Sequence, residues 1–173
     1  MPVDLYRVDD RLIHGQVVVG WGQPFNIGLI VLVDDQVASC DWEQDLYRMG
    51  VPPEMELVFA DVATAVREHP KYAADPRHSI ILTGNVATMR ALVTGTGAIR
   101  SVNVGGLHHR PGRMQKMRYV FLSPDEEQEL RDLISCGVKV SAQDVPGARA
   151  VPMEEILGVA PSAQGNRGTE RSA

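Results

Sequence analysis

The residue types with the most chemical potential stand close together near the start of the chain: Val8, Asp9, Asp10, Arg11, Leu12, Ile13, His14, Gly15 and Gln16. A neutral imidazole is nucleophilic near pH 7, since its intrinsic pKa is about 6.5. Such a ring can attack phosphorus and carry a phosphoryl group on nitrogen. Arg11 adds a permanent forked cation suited to phosphoryl oxygens. Asp9 or Asp10 could hold the second ring nitrogen of His14 and fix its tautomer, or could hold Arg11. Gly15 lets a backbone approach closely and permits unusual loop torsions. The set suits phosphoryl transfer, where positioning and charge neutralisation do most of the work. On residue types alone, His14 is also readable as a surface or capping histidine, and Asp9-Asp10 as a solvated turn.

The elements around this segment decide what it can reach. Short β-branched runs alternate with amphipathic stretches. Val3–Val8, Leu29–Val33, Glu56–Ala60, Ser79–Leu82, Ser101–Val104, Tyr119–Leu122 and Val138–Ala142 read as strands. Leu29–Val33 is continuously apolar, as expected of a strand covered on both faces. The helical segments start near His14-Gly15, then follow at roughly Trp42–Met49, after Asp61, at Val86–Val93 behind an Asn85 cap, and at Pro124–Ser135. The last has Ser123, Pro124 and Glu126 at capping-box spacing. Pro70–Pro76 reads as a turn. The expected fold is α/β: a single-domain, open, mostly parallel sheet of about seven strands with helices on both faces. The domain is expected over residues 1–158, with a flexible polar tail at 159–173. The His14 loop then lies at the carboxyl end of the first strand, where such sheets collect ligands, and leads into a helix N-terminus that favours anions.

Composition narrows the classes. The 173 residues carry 17 Lys+Arg against 22 Asp+Glu, a formal charge of -5, which argues against a dedicated nucleic-acid binder. Cys40 and Cys136 stand alone, so neither a disulfide framework nor a metal site is expected, and no cofactor is implied. With no signal peptide legible, the chain reads as cytoplasmic. A nucleotide-binding enzyme is disfavoured because GxGxxG and GxxxxGK[ST] motifs are missing.

The stretch Arg7–Val17 closely resembles the active-site segment of IIB subunits of the mannose/fructose/sorbose class of the bacterial phosphoenolpyruvate-dependent sugar phosphotransferase system. Val31–Ala38, Pro52-Pro53, Pro70–Tyr72 and Ser101–Gly106 resemble later segments of the same family, in the same order. The resemblance implies that His14 accepts a phosphoryl group on Nδ1 from a phosphorylated IIA protein, with Arg11 neutralising it. It further implies donation to a sugar held by membrane IIC/IID permease subunits, which would place the protein at the inner membrane face through those partners. A homodimer is left open, and so is the sugar. The alternative is a regulatory phosphoprotein of the same fold that is not coupled to transport.

Other residues are candidates for the same crevice. Asp34, Thr83, Gly105 and Gly106 end strands on the edge where His14 is expected. An acidic Asp34 would repel phosphate, so holding Arg11 or capping a helix suits it better. Gly105-Gly106 would let a backbone approach phosphate, or would form a tight turn. Arg110, Arg113, Lys116 and Arg118 form a basic cluster, read as a docking surface for an acidic IIA face or as a solvated hairpin. This stretch, with His108-His109, departs from the family pattern and is expected to lie apart from the His14 loop. His69 and His78 read as surface residues, Trp21 and Trp42 as core or dimer contacts, and Met114 and Met117 as packing residues.

Overall fold

The computed structural model describes residues 3–158; the expected tail at 159–173 lies outside them. In chain order the strands are β1 (Leu5–Asp9), β2 (Ile27–Val33), β3 (Glu56–Ala60), β4 (His78–Thr83), β5 (Ser101–Gly106), β6 (Met114–Met117), β7 (Val120–Leu122), β8 (Lys139–Ala142) and β9 (Val151–Pro152). Seven of them form one sheet in the order β3-β2-β4-β1-β5-β8-β9. Its pairs are parallel up to β8, and β9 alone runs antiparallel at the edge. The helices are α1 (Asp35–Ala38), α2 (Asp41–Met49), α3 (Val62–Ala74), α4 (Val86–Thr96), α5 (Pro124–Ser135) and α6 (Met153–Leu157), and a π-helix spans Gln16–Trp21.

The two-residue period of the strands sorts the core into two layers. On β2, Leu29, Val31 and Val33 join one hydrophobic cluster, with Met89, Leu92, Leu130 and Leu133. Ile30 and Leu32 join the other, with Val17, Val18, Trp21 and Val37. Burial on both faces explains why β2 has no polar face to show. The helix starts follow capping chemistry: Asp61, Asn85 and Ser123 accept from the amides of Thr64, Thr88 and Glu126. At Ser123 the capping box is complete.

Several expectations change. Tyr119–Leu122 does not join the main sheet; β7 pairs with β6 as a separate antiparallel hairpin. The seventh strand is β9, two residues long. Pro70 sits inside α3 rather than in a turn, and the helix continues because its inner face is anchored. His69 on that face is buried and its Nε2 lies 2.8 Å from the Tyr6 hydroxyl, so it is no surface residue. Trp21 is core, whereas Trp42 and Met114 are exposed. Gly105 and Gly106 lie within β5, not in a turn.

The tight entry to the π-helix matters for the site. Leu12 takes a left-handed backbone, φ 57°, after its amide closes onto the Asp9 carbonyl at 3.0 Å. That conformation costs a non-glycine residue roughly 1–2 kcal/mol. It is offset by burial of the Leu12 side chain, for which Gly84 leaves room: a Cβ there would stand 3.0 Å from Leu12 Cδ2. At the far end Gly22 is required, because a Cβ would fall 2.1 Å from the Val18 carbonyl oxygen.

Candidate functional site

Strand β1 ends in two buried charges. Arg7 and Asp9 are spaced by two residues, so both side chains leave the same face, while Val8 packs into the opposite layer. Arg7 is fully buried. Its Nη1 donates to Asn103 Oδ1 at 2.6 Å and to the Gln143 carbonyl at 2.9 Å. Its Nη2 donates to the Asp144 carbonyl at 3.0 Å and to Asp9 Oδ2 at 3.1 Å. The guanidinium also lies over the Trp21 ring, 5.2 Å from the centroid. Gly105 makes this possible, since a Cβ there would sit 1.9 Å from Arg7 Cζ. Its role is therefore to seat Arg7 beneath the site.

Asp9 is the hub. Its side chain has no exposure, and it gathers four donors besides Arg7. His14 Nε2 lies 3.0 Å from Oδ2. The Arg11 amide and Nε donate to Oδ1 at 3.1 and 3.3 Å, and Arg11 Nη2 to Oδ2 at 3.4 Å. Burial alone would raise this carboxyl, but the His14 hydrogen bond, the Arg7 charge and the Arg11 amide outweigh it and hold it down at about 2. Burial in turn lowers Arg7, against the pull of Asp9.

A carboxylate ionised at neutral pH can only accept, so Nε2 of His14 must carry its proton. The ring's lone pair is thereby placed on Nδ1. There the Gln16 amide faces it at 3.4 Å, a distance that leaves the nitrogen open to a better partner. The His14 side chain is 18% exposed and Arg11 37%, so the ring is reachable yet held. Arg11 is fixed from both sides, by Asp9 and by Gln16 Oε1 at 2.6 Å. Gly15 has ordinary right-handed helical torsions, so no special conformation requires it. Its open side, with nothing within 4 Å of a Cβ, leaves the approach clear.

The two neighbouring aspartates have separate duties, which their types could not reveal. Asp10 accepts from the His108 amide at 2.8 Å, approaches His108 Nδ1 at 2.5 Å, and pairs with Arg113 Nη1 at 3.3 Å. The 108–118 stretch therefore touches the His14 loop, contrary to expectation. Arg113 is also nearly buried and bidentate to Glu126, and Lys116 pairs with Glu127. Half of the basic cluster is thus neutralised within the fold, leaving Arg110 and Arg118 exposed. Asp34 caps α1 through the Val37 amide at 2.9 Å and does not hold Arg11. Thr83 is buried at the end of β4, its hydroxyl donating to the Asn85 carbonyl. Gly106 lies at the site: a Cβ would stand 3.3 Å from Arg11 Nη2 and from Asp9 Oδ1. Arg7 and Gln16 belong to the site as well, although neither stood out as a site residue from its type. The signals for Arg7 were a charge inside an apolar strand, two residues before Asp9, and its place at the start of the segment that resembles the family's active site.

The family model of the PTS system sorbose subfamily IIB component matches residues 3–167. The chain belongs to this family. The sorbose-specific EIIB component of Lacticaseibacillus casei is 33% identical over 159 residues, 91% of this chain and 94% of that protein. The mannose-specific EIIAB component of Escherichia coli (strain K12) is 31% identical over 159 residues, 91% of this chain; the chain spans 49% of its length, about half. The crystal structure of the IIBSor domain of the sorbose permease from Klebsiella pneumoniae aligns with a TM-score of 0.82 at 31% identity, covering 91% of this chain and 97% of that one. The chain carries the α/β fold with a mostly parallel sheet that this family shares. Among the described residues, no helix is long and apolar enough to cross a membrane.

Proposed function

We propose that this IIB component is a phosphocarrier whose acceptor is Nδ1 of His14. The observation that carries the reading is the Asp9 carboxylate on Nε2, which leaves the lone pair on Nδ1, met among the described residues only by the Gln16 amide at 3.4 Å. In the forward step the Nδ1 lone pair attacks phosphorus of a phosphohistidine on a IIA partner. The donor's N–P bond breaks and its electron pair returns to the donor ring. His14 keeps its Nε2 proton, and Asp9 stabilises the positive charge the ring acquires, as a carboxylate does behind any imidazolium. Arg11, pre-oriented by Asp9 and Gln16, meets the phosphoryl oxygens. The group then passes to a sugar held by membrane IIC/IID subunits, which would bring the protein to the cytoplasmic membrane face.

Both partners must reach the same ring in turn. Partial exposure on a loop at the sheet edge suits that better than an enclosed pocket would. Exposed Arg110 and Arg118 suit an acidic partner surface, and such complementarity mainly speeds encounter. Asp34 and Thr83 serve the scaffold in this reading, while Gly106 borders the phosphoryl position.

The test is incubation with a phosphoenolpyruvate-driven IIA donor, followed by mass spectrometry. An acid-labile, base-stable phosphate on His14 is expected, with none on His14→Ala. A His14→Ala protein that still takes the label would overturn the assignment. Label that is accepted but never passed to sugar in permease-containing membranes would favour the regulatory alternative.

A further inference from the structure

A second Asp–His pair stands beside the first. Asp9 holds His14 by Nε2 and frees Nδ1. Asp10 holds His108 by Nδ1 and frees Nε2. The second pair is built as firmly as the first. The Asp10 carboxylate is 5% exposed, and it also accepts from the His108 amide and from Arg113. Arg113 Nη1 in turn donates to the His108 carbonyl at 2.8 Å, and its other arm is clamped by Glu126, the capping-box residue of α5. The Asp10 amide itself is tied to the Gly106 carbonyl at 3.0 Å. The backbone on either side of His108 is thus fixed, while its ring remains 44% exposed.

The ring also lies beside Arg11 and Asp9. The point where a Cβ on Gly106 would stand is 3.1 Å from His108 Cε1, 3.3 Å from Arg11 Nη2 and 3.3 Å from Asp9 Oδ1. One small residue on β5 therefore lets the His108 ring edge, the Arg11 guanidinium and the carboxylate behind His14 share a corner. Among the described residues, His108 Nε2 and Arg11 Nη1 have no hydrogen-bond partner in the fold, so each is available to a ligand at that corner.

We propose that His108 is a second phosphoryl ligand, binding through Nε2–H the group that His14 carries, beside Arg11. The inference rests on the reading of His14 as the phosphocarrier. Its Nδ1–H is committed to Asp10, so Nε2 can donate only when the ring is an imidazolium. A neutral ring would turn a lone pair towards the phosphoryl oxygens. The contact therefore depends on protonation of the ring and strengthens as the medium is acidified. The charged groups around that ring are Asp10, Arg113 with its partner Glu126, and, across Gly106, Arg11 and Asp9. A dianionic phosphoryl group favours the cation.

The experiment uses the full chain with 15N-labelled histidine, observed by NMR before and after phosphorylation by the IIA donor. Phosphorylation at His14 should move the His108 Nε2 resonance towards its protonated position and raise the pH at which that ring titrates. His108→Gln, which keeps an N–H donor but cannot titrate, should flatten the pH dependence of phosphoryl acceptance. His108→Ala should slow acceptance about tenfold on the acidic side, the loss expected for one charge-assisted hydrogen bond. His108 resonances that stay still while His14 is phosphorylated would overturn the inference and leave the carrier reading intact. Phosphate found on His108 would overturn it as well, and failure of His14 to take any phosphate would remove both. The NMR measurement is made on the unsubstituted protein, so it decides the matter even if a variant folds poorly.

Discussion

Replacing Asp9 with Asn would strike the fold and the proposed chemistry together. The substitution keeps the shape and removes the charge that four donors besides Arg7 share. Two routes bracket the cost. Asp9 is held at about 2 against a usual 3.8, and that difference corresponds to roughly 2 kcal/mol between its two protonation states. Leaving a buried charge such as Arg7 without its partner costs about 3–5 kcal/mol. Asp9→Asn should therefore lose roughly 2–5 kcal/mol in urea unfolding at pH 7, a large share of an ordinary domain's stability. The acid limb supplies an independent check. A carboxyl depressed in the folded state contributes fully above its unfolded value, near pH 4, and loses that contribution as the pH falls through about 2. The parent should show this loss between about pH 4 and pH 2, and the variant should lack that part of the slope. Phosphoryl acceptance should fall by 10²-fold or more, as His14 loses the carboxylate that fixes its tautomer. An Asp9→Asn protein with parental stability and parental transfer would refute the hub assignment.

Arg11→Ala should leave stability within about 1 kcal/mol, since the side chain is 37% exposed, yet slow transfer roughly 10²-fold; unchanged stopped-flow rates would make Arg11 merely structural. Gly105→Ala should expel the Arg7 guanidinium and lower stability by about 3 kcal/mol or more, far beyond the ordinary effect of alanine in a strand, and denaturant unfolding reads this directly. His69 is lowered by burial, so the unfolded chain takes up its proton first as the medium acidifies. Stability should thus decline as pH falls below about 6.5, and His69→Phe should remove that component of the slope.

The fold was legible where one physical signal dominated. The unbroken apolar run of β2 could only be a strand covered twice, and Ser123-Pro124 with Glu126 could only open a helix. It was obscure where tertiary contacts overrode the local code. Pro70 stays helical because His69 and Tyr72 are anchored beneath it. Strand β9 is two residues long and gains its identity only from pairing with β8. That Arg11, Asp9 and His14 could meet on a loop after β1 was legible in their types and spacing, while the roles proposed for them came from the family resemblance. The division of labour between Asp9 and Asp10 was not legible, because adjacent residues at a strand end point in opposite directions. The glycines of β5 misled for a similar reason. Gly105 is glycine to admit a side chain from the neighbouring strand, and sequence order places Arg7 far away. His108 likewise meets Asp10 across 98 positions of chain.

The central claim is that a carboxylate on one ring nitrogen of His14 dictates which nitrogen reacts. Phosphorylating the 15N-histidine-labelled protein and locating the bond by 31P–15N coupling tests it most directly. The account predicts phosphate on Nδ1 of His14, with Nε2 still protonated against Asp9. Phosphate on Nε2, or on any other residue, would contradict it.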